Sequence, residues 1–444
     1  MTEIHFPLDQ NEIEFTASGG SLVRRTVHPS GVRVLTEAVP GVQSASVSFS
    51  VGVGSRDETN GHFGSTHFLE HLLFKGTKKR TALEIAVAFD SVGGSSNAAT
   101  GKEHTSYYAR VQQSAVPLAI DVIGDMLTSS LIDPVEFENE RTVILEELAM
   151  NEDDPSDVAH EAFFEAVLGD HVLGRPIGGT KETIGAVTRA AVWEHYKANY
   201  RPEDLVIVAA GAVKHDDIMA LVEKSLIEAG WNLDVAAAPR PRRSTEQAVI
   251  ARADKVKVIH EENAQTNVLL GMQGLIGNDD RRYAMSVLNT VLGGGMSSRL
   301  FQEIREKRGL AYSTYSFNQG YSDGAVFGLY AGCSPAKTRE VVDLMLAEFT
   351  KIAEHGITGD ELELAYGNIS GGLALKFEST QARMSRLAGT ELGTGHFVDL
   401  DEALNRYREV TQVQVQQLAA DILTREKTIV AVGDVTFDTF DGIV

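Results

Sequence analysis

The segment His67-Phe68-Leu69-Glu70-His71 contains the residue types needed to hold a metal ion and to activate water beside it. On a helix, His67 and His71 lie one turn apart on the same face, so both imidazoles can bind a single ion. Glu70 lies beside that face, where its carboxylate can reach a metal-bound water without being a ligand. Neutral imidazoles suit Zn²⁺, and a catalytic zinc ion usually has three protein ligands and one open position. The segment therefore predicts a zinc site with Glu70 as general base, and it requires a third ligand.

The helix that carries this segment is predicted to begin with Ser65 or Thr66 as its cap and to end near Gly76. With 13 histidines in 444 residues, the same spacing can also arise by chance on a solvated helix. A third ligand is what would separate the two interpretations.

The acidic segment 133–154 (DPVEFENERTVILEELAMNEDD) offers candidates for that ligand and is predicted to be helical. Glu140 and Glu147 are two helical turns apart and share a face. Glu146 points about 100° away from Glu147. A solvated acidic face explains most of these glutamates, so spacing alone leaves Glu140, Glu146 and Glu147 open.

The two halves of the chain repeat each other. Residues 188–213 and 411–435 both begin with a capping Thr, continue as an amphipathic helix and end in an apolar strand closed by Gly. They start 223 positions apart, and the strand-like segments 44–54 and 266–276 start 222 positions apart. Two independent segments with nearly the same offset indicate a duplicated domain.

Residues 236–247 (AAAPRPRRSTEQ) have the Pro-rich and polar composition of a linker. We therefore predict an N-terminal zinc-binding domain at 20–235, a linker at 236–255 and a C-terminal domain at 256–440. In the first half, strands and helices partly segregate instead of alternating strictly. They are strands at 44–54 and 105–111 and helices at 82–92 and 134–151. This order predicts the α+β class, with one sheet and its packed helices in each half.

Composition excludes several classes of protein. The net charge of −22, without a basic stripe, argues against a nucleic-acid partner. No apolar run reaches the roughly 18 residues of a membrane span, and the acidic N-terminal segment resembles neither a secretory signal nor a transit peptide. The single cysteine, Cys333, fits a reducing compartment and is predicted to pack as a small buried residue. We predict a cytoplasmic protein without membrane insertion.

Over roughly residues 20 to 435, the chain resembles the pitrilysin/insulinase family of zinc peptidases, especially bacterial members similar to mitochondrial processing peptidase. The HxxEH pattern at His67, Glu70 and His71 carries the resemblance. The family's glutamate ligand falls on Glu147, and its supporting glutamate falls on Glu140. The resemblance thus implies one zinc ion per chain, held by His67, His71 and Glu147, in a catalytic site that includes Glu70 and Glu140.

A second similarity lies in the segment 292–316 (LGGGMSSRLFQEIREKRGLAYSTYS). Arg305 and Tyr312 match the family's arginine–tyrosine pair, which contacts substrate near the scissile bond. Both side chains donate hydrogen bonds and suit peptide carbonyl oxygens. A salt-bridged helix end and an ordinary strand tyrosine are the alternative interpretation.

The family also binds substrate as an added strand, and the matching segment here is 95–100 (SSNAAT). Its small residues would let a peptide backbone approach closely. Asn97 and Ala99 are our candidates for substrate contact, although an ordinary turn and edge strand fit the same letters.

At an offset of 222, the positions equivalent to 67–71 are 289–293 (NTVLG), which contain no ligand set. The second half is therefore expected to be metal-free, and the resemblance implies that the two homologous domains form a clamshell. The predicted function is a zinc-dependent endopeptidase, a metalloprotease that hydrolyses peptides or unfolded segments in a closed chamber. The predicted oligomeric state is a homodimer. The alternative is a catalytically inactive scaffold or core subunit of a larger complex.

Overall fold

The computed structural model describes residues 4–444 as a mixture of strands and helices. The strands are β1 (Ile4–His5), β2 (Glu12–Thr16), β3 (Leu22–Val27), β4 (Arg33–Ala38), β5 (Ser44–Val51), β6 (Ser95–Thr100), β7 (Thr105–Gln112), β8 (Leu205–Gly211), β9 (Val256–His260), β10 (Thr266–Gln273), β11 (Ala311–Gly320), β12 (Ala325–Cys333), β13 (His396–Phe397) and β14 (Thr428–Gly433).

The α-helices are α1 (Ser65–Leu73), α2 (Ala82–Asp90), α3 (Val116–Ser129), α4 (Pro134–Glu152), α5 (Pro155–Leu168), α6 (Lys181–Ala186), α7 (Arg189–Asn199), α8 (His215–Glu228), α9 (Arg282–Gly293), α10 (Thr338–His355), α11 (Gly359–Lys376), α12 (Thr380–Leu392), α13 (Leu400–Arg408) and α14 (Gln412–Leu423). The predicted α+β class is confirmed. Within residues 4–444, no helix is both long enough and apolar enough to cross a bilayer.

The chain forms two compact units, and neither is continuous in sequence. The first unit comprises the described residues up to Leu148 together with Pro176–Arg243 and Ala374–Glu402. The second unit comprises Ala149–Arg175, Ser244–Leu373 and Ala403–Val444.

These units differ from the contiguous ranges expected from sequence, because two helices are exchanged. Helix α5, from the first half of the sequence, packs on β10 and β14 in the second unit. Helix α12, from the second half, packs on β5 and β8 in the first unit. Each sheet thus has one of its two faces covered by a helix encoded in the other half of the sequence.

The two sheets share one topology. The first-unit sheet has the order β2-β3-β4-β8-β5-β7-β6, and the second-unit sheet has the order β11-β12-β10-β14-β9. Read from β9 to β11, the second order repeats β4-β8-β5-β7-β6, including the one parallel pair, β4 with β8 or β9 with β14. Strands β5 and β10 begin 222 positions apart, at Ser44 and Thr266. The predicted duplication therefore extends to strand order and direction.

Strand β5 lies at the centre of the first-unit core and is buried on both faces. Val47 and Phe49 pack with α3, as the apolar alternation predicts. The serines that alternate with them, Ser46, Ser48 and Ser50, are also buried. Ser46 Oγ lies 2.9 Å from Thr380 Oγ1 of α12. A polar face that sequence alone would assign to solvent is therefore covered by the exchanged helix.

The predicted linker contains one of the boundaries between the units, the one that falls between Arg243 and Ser244. Arg243 Nη1 donates to Asp57 Oδ1 at 2.8 Å in the first unit. In the second unit, Gln273 Nε2 donates to the carbonyl of Ile250 at 2.5 Å. Each end of the segment is thus tied to its own unit.

Cys333 is buried at the end of β12, and burial raises the pKa of its thiol. A neutral, enclosed thiol is a poor nucleophile. The predicted packing role of this cysteine is therefore confirmed.

Candidate metal centre

Helix α1 begins at a glycine and not at the predicted caps. Gly64 is the N-cap, with φ of 88°, and an added Cβ would lie 2.4 Å from Ile184 Cδ1. The capping group is the Glu58 carboxylate, which accepts from the backbone N–H groups of Gly64 at 2.8 Å and Thr66 at 2.7 Å. The prediction that Ser65 or Thr66 caps the helix is wrong, because a carboxylate from the preceding loop satisfies these donors.

His67, His71 and Glu147 converge at the outer face of α1. Glu147 Oε2, on α4, lies 3.8 Å from Nε2 of His67 and 3.6 Å from Nε2 of His71. The side chain of Glu146 is exposed and takes no part. Ligand atoms about 2.1 Å from a tetrahedral ion lie about 3.4 Å from one another, so this arrangement fits a zinc ion. Among residues 4–444, no other three His, Cys, Asp or Glu side chains converge in this way.

Glu140 orients His71. Its Oε2 lies 3.0 Å from Nδ1 of His71, and its Oε1 accepts from Nζ of Lys75 at 2.7 Å. Glu140 is buried, so this pairing keeps its charge satisfied. With Nδ1 donating to the carboxylate, the Nε2 lone pair of His71 faces Glu147, which is the orientation that a metal ligand needs. Sequence reasoning missed Lys75, although it lies one turn beyond His71 on the same face.

His67 is held in the neutral form that a ligand requires. Burial lowers the pKa of His67 first, and neighbouring His71 lowers it further, whereas Glu147 and Glu70 act in the opposite direction. Its Nδ1 is buried without a hydrogen-bond partner among the described residues and lies against Gly178. Nε2 is therefore the nitrogen that faces the other ligand atoms.

Glu70 is fixed by a hydroxyl that sequence reasoning also missed. Thr100 Oγ1, at the end of β6, donates a short hydrogen bond to Glu70 Oε2. Behind the carboxylate lie Tyr107 and Tyr200, whose hydroxyl oxygens are 3.2 Å apart. Burial raises the pKa of both tyrosines, and the charge of Glu70 raises it further. The Glu70 carboxylate therefore lies beside two neutral tyrosines and accepts one hydrogen bond, from the Thr100 hydroxyl.

The pairing of β6 determines which of its backbone groups face outward. Gln113 N donates to Gln43 O at 3.0 Å, which places odd-numbered residues of β7 in hydrogen bonds with β5. On the other side of β7, Gly101 N donates to His104 O at 2.8 Å, so an even-numbered residue of the β7 segment bonds to an odd-numbered residue of the β6 segment. Even-numbered residues of β7 therefore bond to odd-numbered residues of β6. The even-numbered residues of β6 point their N–H and C=O groups toward the open edge.

Asn97 and Ala99 lie on this edge strand with exposed side chains. Their backbone groups, however, bond to β7. The outward-facing backbone belongs to Ser96, Ala98 and Thr100. Asn97 Oδ1 also accepts from the N–H of Ala98 at 2.8 Å and covers one edge donor. The predicted contacts of Asn97 and Ala99 with substrate are thus confined to their side chains.

Arg305 and Tyr312 come together within the second unit. Arg305 lies in the π-helical turn Phe301–Glu306, and Nη1 donates to the carbonyl of Tyr312 at 3.0 Å. Its guanidinium is 4.6 Å from the ring centroid of Tyr312 and 4.7 Å from that of Phe301. The β11–β12 pairing shifts register at Tyr312, whose side chain is 76% exposed. Such helical and strand irregularities often occur at functional sites.

Two family models match the chain. Residues 33–181 match the insulinase model of peptidase family M16, and residues 186–367 match the M16 inactive-domain model. The ligand set lies in the first match, and the Arg305–Tyr312 pair lies in the second. The half without a ligand set is thus the half that matches the inactive-domain model.

Relatives of similar length are named as zinc proteases. A protein of Streptomyces coelicolor named as an uncharacterized zinc protease is 47% identical over 94% of this chain and 90% of its own. The Bacillus subtilis zinc protease YmxG, also named uncharacterized, is 36% identical over 91% of this chain and 97% of its own.

Solved structures share the fold. A protease from Helicobacter pylori superimposes with a TM-score of 0.81 at 23% identity, covering 95% of this chain and 99% of that one. A Pseudomonas fluorescens structure described as a peptidase M16 inactive domain gives a TM-score of 0.79 at 20% identity, covering 96% and 98%. With the sequence matches to its relatives and the geometry of α1 and α4, these likenesses lead to one conclusion: the chain belongs to the insulinase family of peptidases, M16.

Proposed function

We propose that the protein is a zinc-dependent endopeptidase that hydrolyses peptides or unfolded segments. The observation that carries this proposal is the convergence of His67, His71 and Glu147 beside Glu70, which is held at the end of an open strand edge. Metal ligands, a general base and a place for a peptide backbone then occupy one side of the first unit.

The ligand set fits one zinc ion per chain, with Nε2 of both histidines and Oε2 of Glu147 as donors. When bound, zinc would polarise the scissile carbonyl and make a water molecule more acidic. Glu140 keeps His71 in the required tautomer. Because Thr100 donates to Oε2 of Glu70, Oε1 is the atom that takes the proton of the attacking water and delivers it to the leaving amine.

The peptide is proposed to bind as an extra strand along β6. Ser96, Ala98 and Thr100 supply the outward-facing backbone groups, and Asn97 and Ala99 supply side-chain contacts. Strand addition of this kind needs an extended segment. Peptides and unfolded chains meet that requirement, whereas a folded protein does not.

Arg305 and Tyr312 are proposed to donate hydrogen bonds to the substrate near the scissile bond. The support for this role is their mutual contact, the exposure of Tyr312 and the two backbone irregularities that present them. One donor that meets developing oxyanion charge is worth roughly 3 kcal/mol.

The competing proposal is an inactive scaffold. The complete set of ligands, together with an oriented base, argues against it. The predicted homodimer, the cytoplasmic location and the exclusion of nucleic acid remain predictions.

The proposed function is tested by digestion of a mixed peptide library with purified protein, followed by mass spectrometry, and by metal analysis of the same sample. We expect equimolar zinc and internal cleavages that a chelator abolishes and added zinc restores. Glu70→Gln is the matched control and should retain zinc while losing turnover. Zinc-loaded wild-type protein that leaves every peptide intact would favour the scaffold, and normal turnover by Glu70→Gln would refute the assigned base.

A further inference from the structure

Thr100 connects the edge strand β6 to the general base Glu70. It ends the edge strand β6, and its hydroxyl donates to Oε2 of Glu70 on α1. Among the described residues, this hydroxyl is the hydrogen-bond partner of the Glu70 carboxylate, and no lysine or arginine pairs with it. The orientation of the base therefore depends on the position of a strand end.

The same residue faces the open edge with its main chain. The pairing phase of β7 directs the backbone groups of Asn97 and Ala99 inward and those of Ala98 and Thr100 outward. A peptide added along β6 would thus bond to the backbone of Thr100 while the side chain of Thr100 holds Glu70.

Within residues 4–444, no hydrogen bond other than that of the Thr100 hydroxyl fixes the orientation of the Glu70 carboxylate. Tyr107, which pairs with Ala98 across the two strands, and Tyr200 are neutral and bonded to each other. A glutamate has several rotatable bonds, so a carboxylate without a directional donor would sample many orientations. A single hydroxyl donor fixes one oxygen and leaves the other to accept a proton.

We propose that Thr100 is a positioning residue through which the addition of a peptide strand sets the orientation of Glu70. This inference rests on the proposed endopeptidase function. Pairing with a peptide backbone restricts the φ and ψ angles of Thr100, which are otherwise held by one neighbouring strand alone. The hydroxyl then keeps Glu70 Oε1 directed toward the reacting atoms when substrate is present.

The test compares Thr100→Val, which keeps the branched shape without the hydroxyl, with Thr100→Ser, which keeps the hydroxyl. We expect Thr100→Val to lower kcat about 100-fold with little change in KM, because the loss falls on a general base. Thr100→Ser should retain most of the wild-type kcat. Zinc content and melting temperature should match wild type in both variants.

A binding measurement separates positioning from substrate affinity. A library peptide that wild type cleaves is titrated against Glu70→Gln and against the double variant Glu70→Gln/Thr100→Val, both loaded with zinc. We expect equal dissociation constants, because the strand backbone is unchanged and the hydroxyl acts through Glu70. A weaker complex in the double variant would overturn the inference in favour of a direct contact between Thr100 and substrate.

Other outcomes would also contradict the proposed role of Thr100. Wild-type kcat in Thr100→Val, or an equal loss in Thr100→Ser, would overturn the role of the hydroxyl while leaving the proposed function intact. Loss of zinc or of thermal stability in Thr100→Val would show a structural role instead. A wild-type protein without chelator-sensitive cleavage would remove the proposed function and this inference with it.

Discussion

Helices α1 and α9 contact equivalent edge strands, β6 and β11, in two sheets of the same strand order, yet they differ in chemistry. At an offset of 222, the positions of His67, Glu70 and His71 in α1 are taken in α9 by a residue set without metal ligands. That set is Asn289, Leu292 and Gly293.

The second unit uses these positions for packing. Asn289 Oδ1 accepts from Ser316 Oγ of β11 at 2.7 Å, and Leu292 is fully buried. A Cβ added to Gly293 would lie 2.2 Å from the backbone nitrogen of Ser316. The comparison shows that a duplicated framework can keep its topology while one copy closes the space that a ligand set needs.

Removal of one imidazole from α1 should have the largest effect. His71→Ala leaves two ligands and deprives Glu140 of its partner, so we expect loss of bound zinc and of all peptide cleavage. Metal analysis and the library assay measure both. Asn289→Ala, at the position in α9 that matches His67, is the control and should keep full zinc and turnover. Equimolar zinc in His71→Ala would contradict the assigned ligand set.

The second unit is expected to contribute to the reaction without binding metal. Arg305→Ala should lower kcat/KM about 100-fold, since a donor to developing charge is lost, and zinc content should not change. Arg308→Ala is the control because Arg308 pairs with Glu303 nearby. Steady-state kinetics on a cleaved library peptide measures both variants. Unchanged kinetics in Arg305→Ala would leave the second unit with a purely structural role.

Substitution of Glu140, which orients the ligand His71, should have a smaller effect than loss of a ligand. Glu140→Gln leaves all three ligands in place but loses the charge that orients His71, so zinc affinity should fall about 10- to 100-fold. Competition with a chelating dye gives the dissociation constant. Glu146→Gln, on the exposed side of the same helix, should bind zinc as wild type does. Equal affinities for the two variants would mean that Glu140 serves the fold alone.

Features that depend on local spacing were predictable from the sequence. The four-residue spacing of His67 and His71 and the duplicated strands β5 and β10 follow from helical and strand periodicity. The family resemblance was needed to choose Glu147, because helix geometry alone allowed three glutamates. In the structure, Glu147 Oε2 lies 3.8 Å from Nε2 of His67 and 3.6 Å from Nε2 of His71.

Features that depend on distant parts of the chain were not predictable. The Glu58 cap and the Thr100 hydroxyl act across loops whose course no periodicity encodes. The exchange of α5 and α12 was missed because an amphipathic helix shows that it needs an apolar partner but not which sheet provides it. The predicted domains were contiguous for the same reason, because the sequence does not show that α5 and α12 pack in the opposite units.

A buried histidine gives the smallest predicted difference between the units. His195 of α7 lies at the position of Leu418 of α14, and both are buried. Burial first, and then nearby His62, lowers the pKa of His195 to about 4 from its ordinary 6.5. Between pH 6.5 and about 4, the imidazole of His195 is therefore protonated in the unfolded chain but not in the folded first unit. The stability of the folded unit falls as pH drops through this range. The loss should reach about 2 kcal/mol at pH 5.

His195→Leu copies the second unit and tests this difference. Thermal unfolding of metal-free wild type at pH 7.5 and pH 5 should show a larger loss of stability than unfolding of the variant, because leucine has no proton to take up. Metal-free samples keep zinc release out of the comparison. The variant loses the contact of His195 with Thr66 at either pH, so the change between the two pH values, and not the absolute melting temperature, carries the result. An identical pH response in both proteins would show that the pKa of His195 is the same in the folded and the unfolded chain.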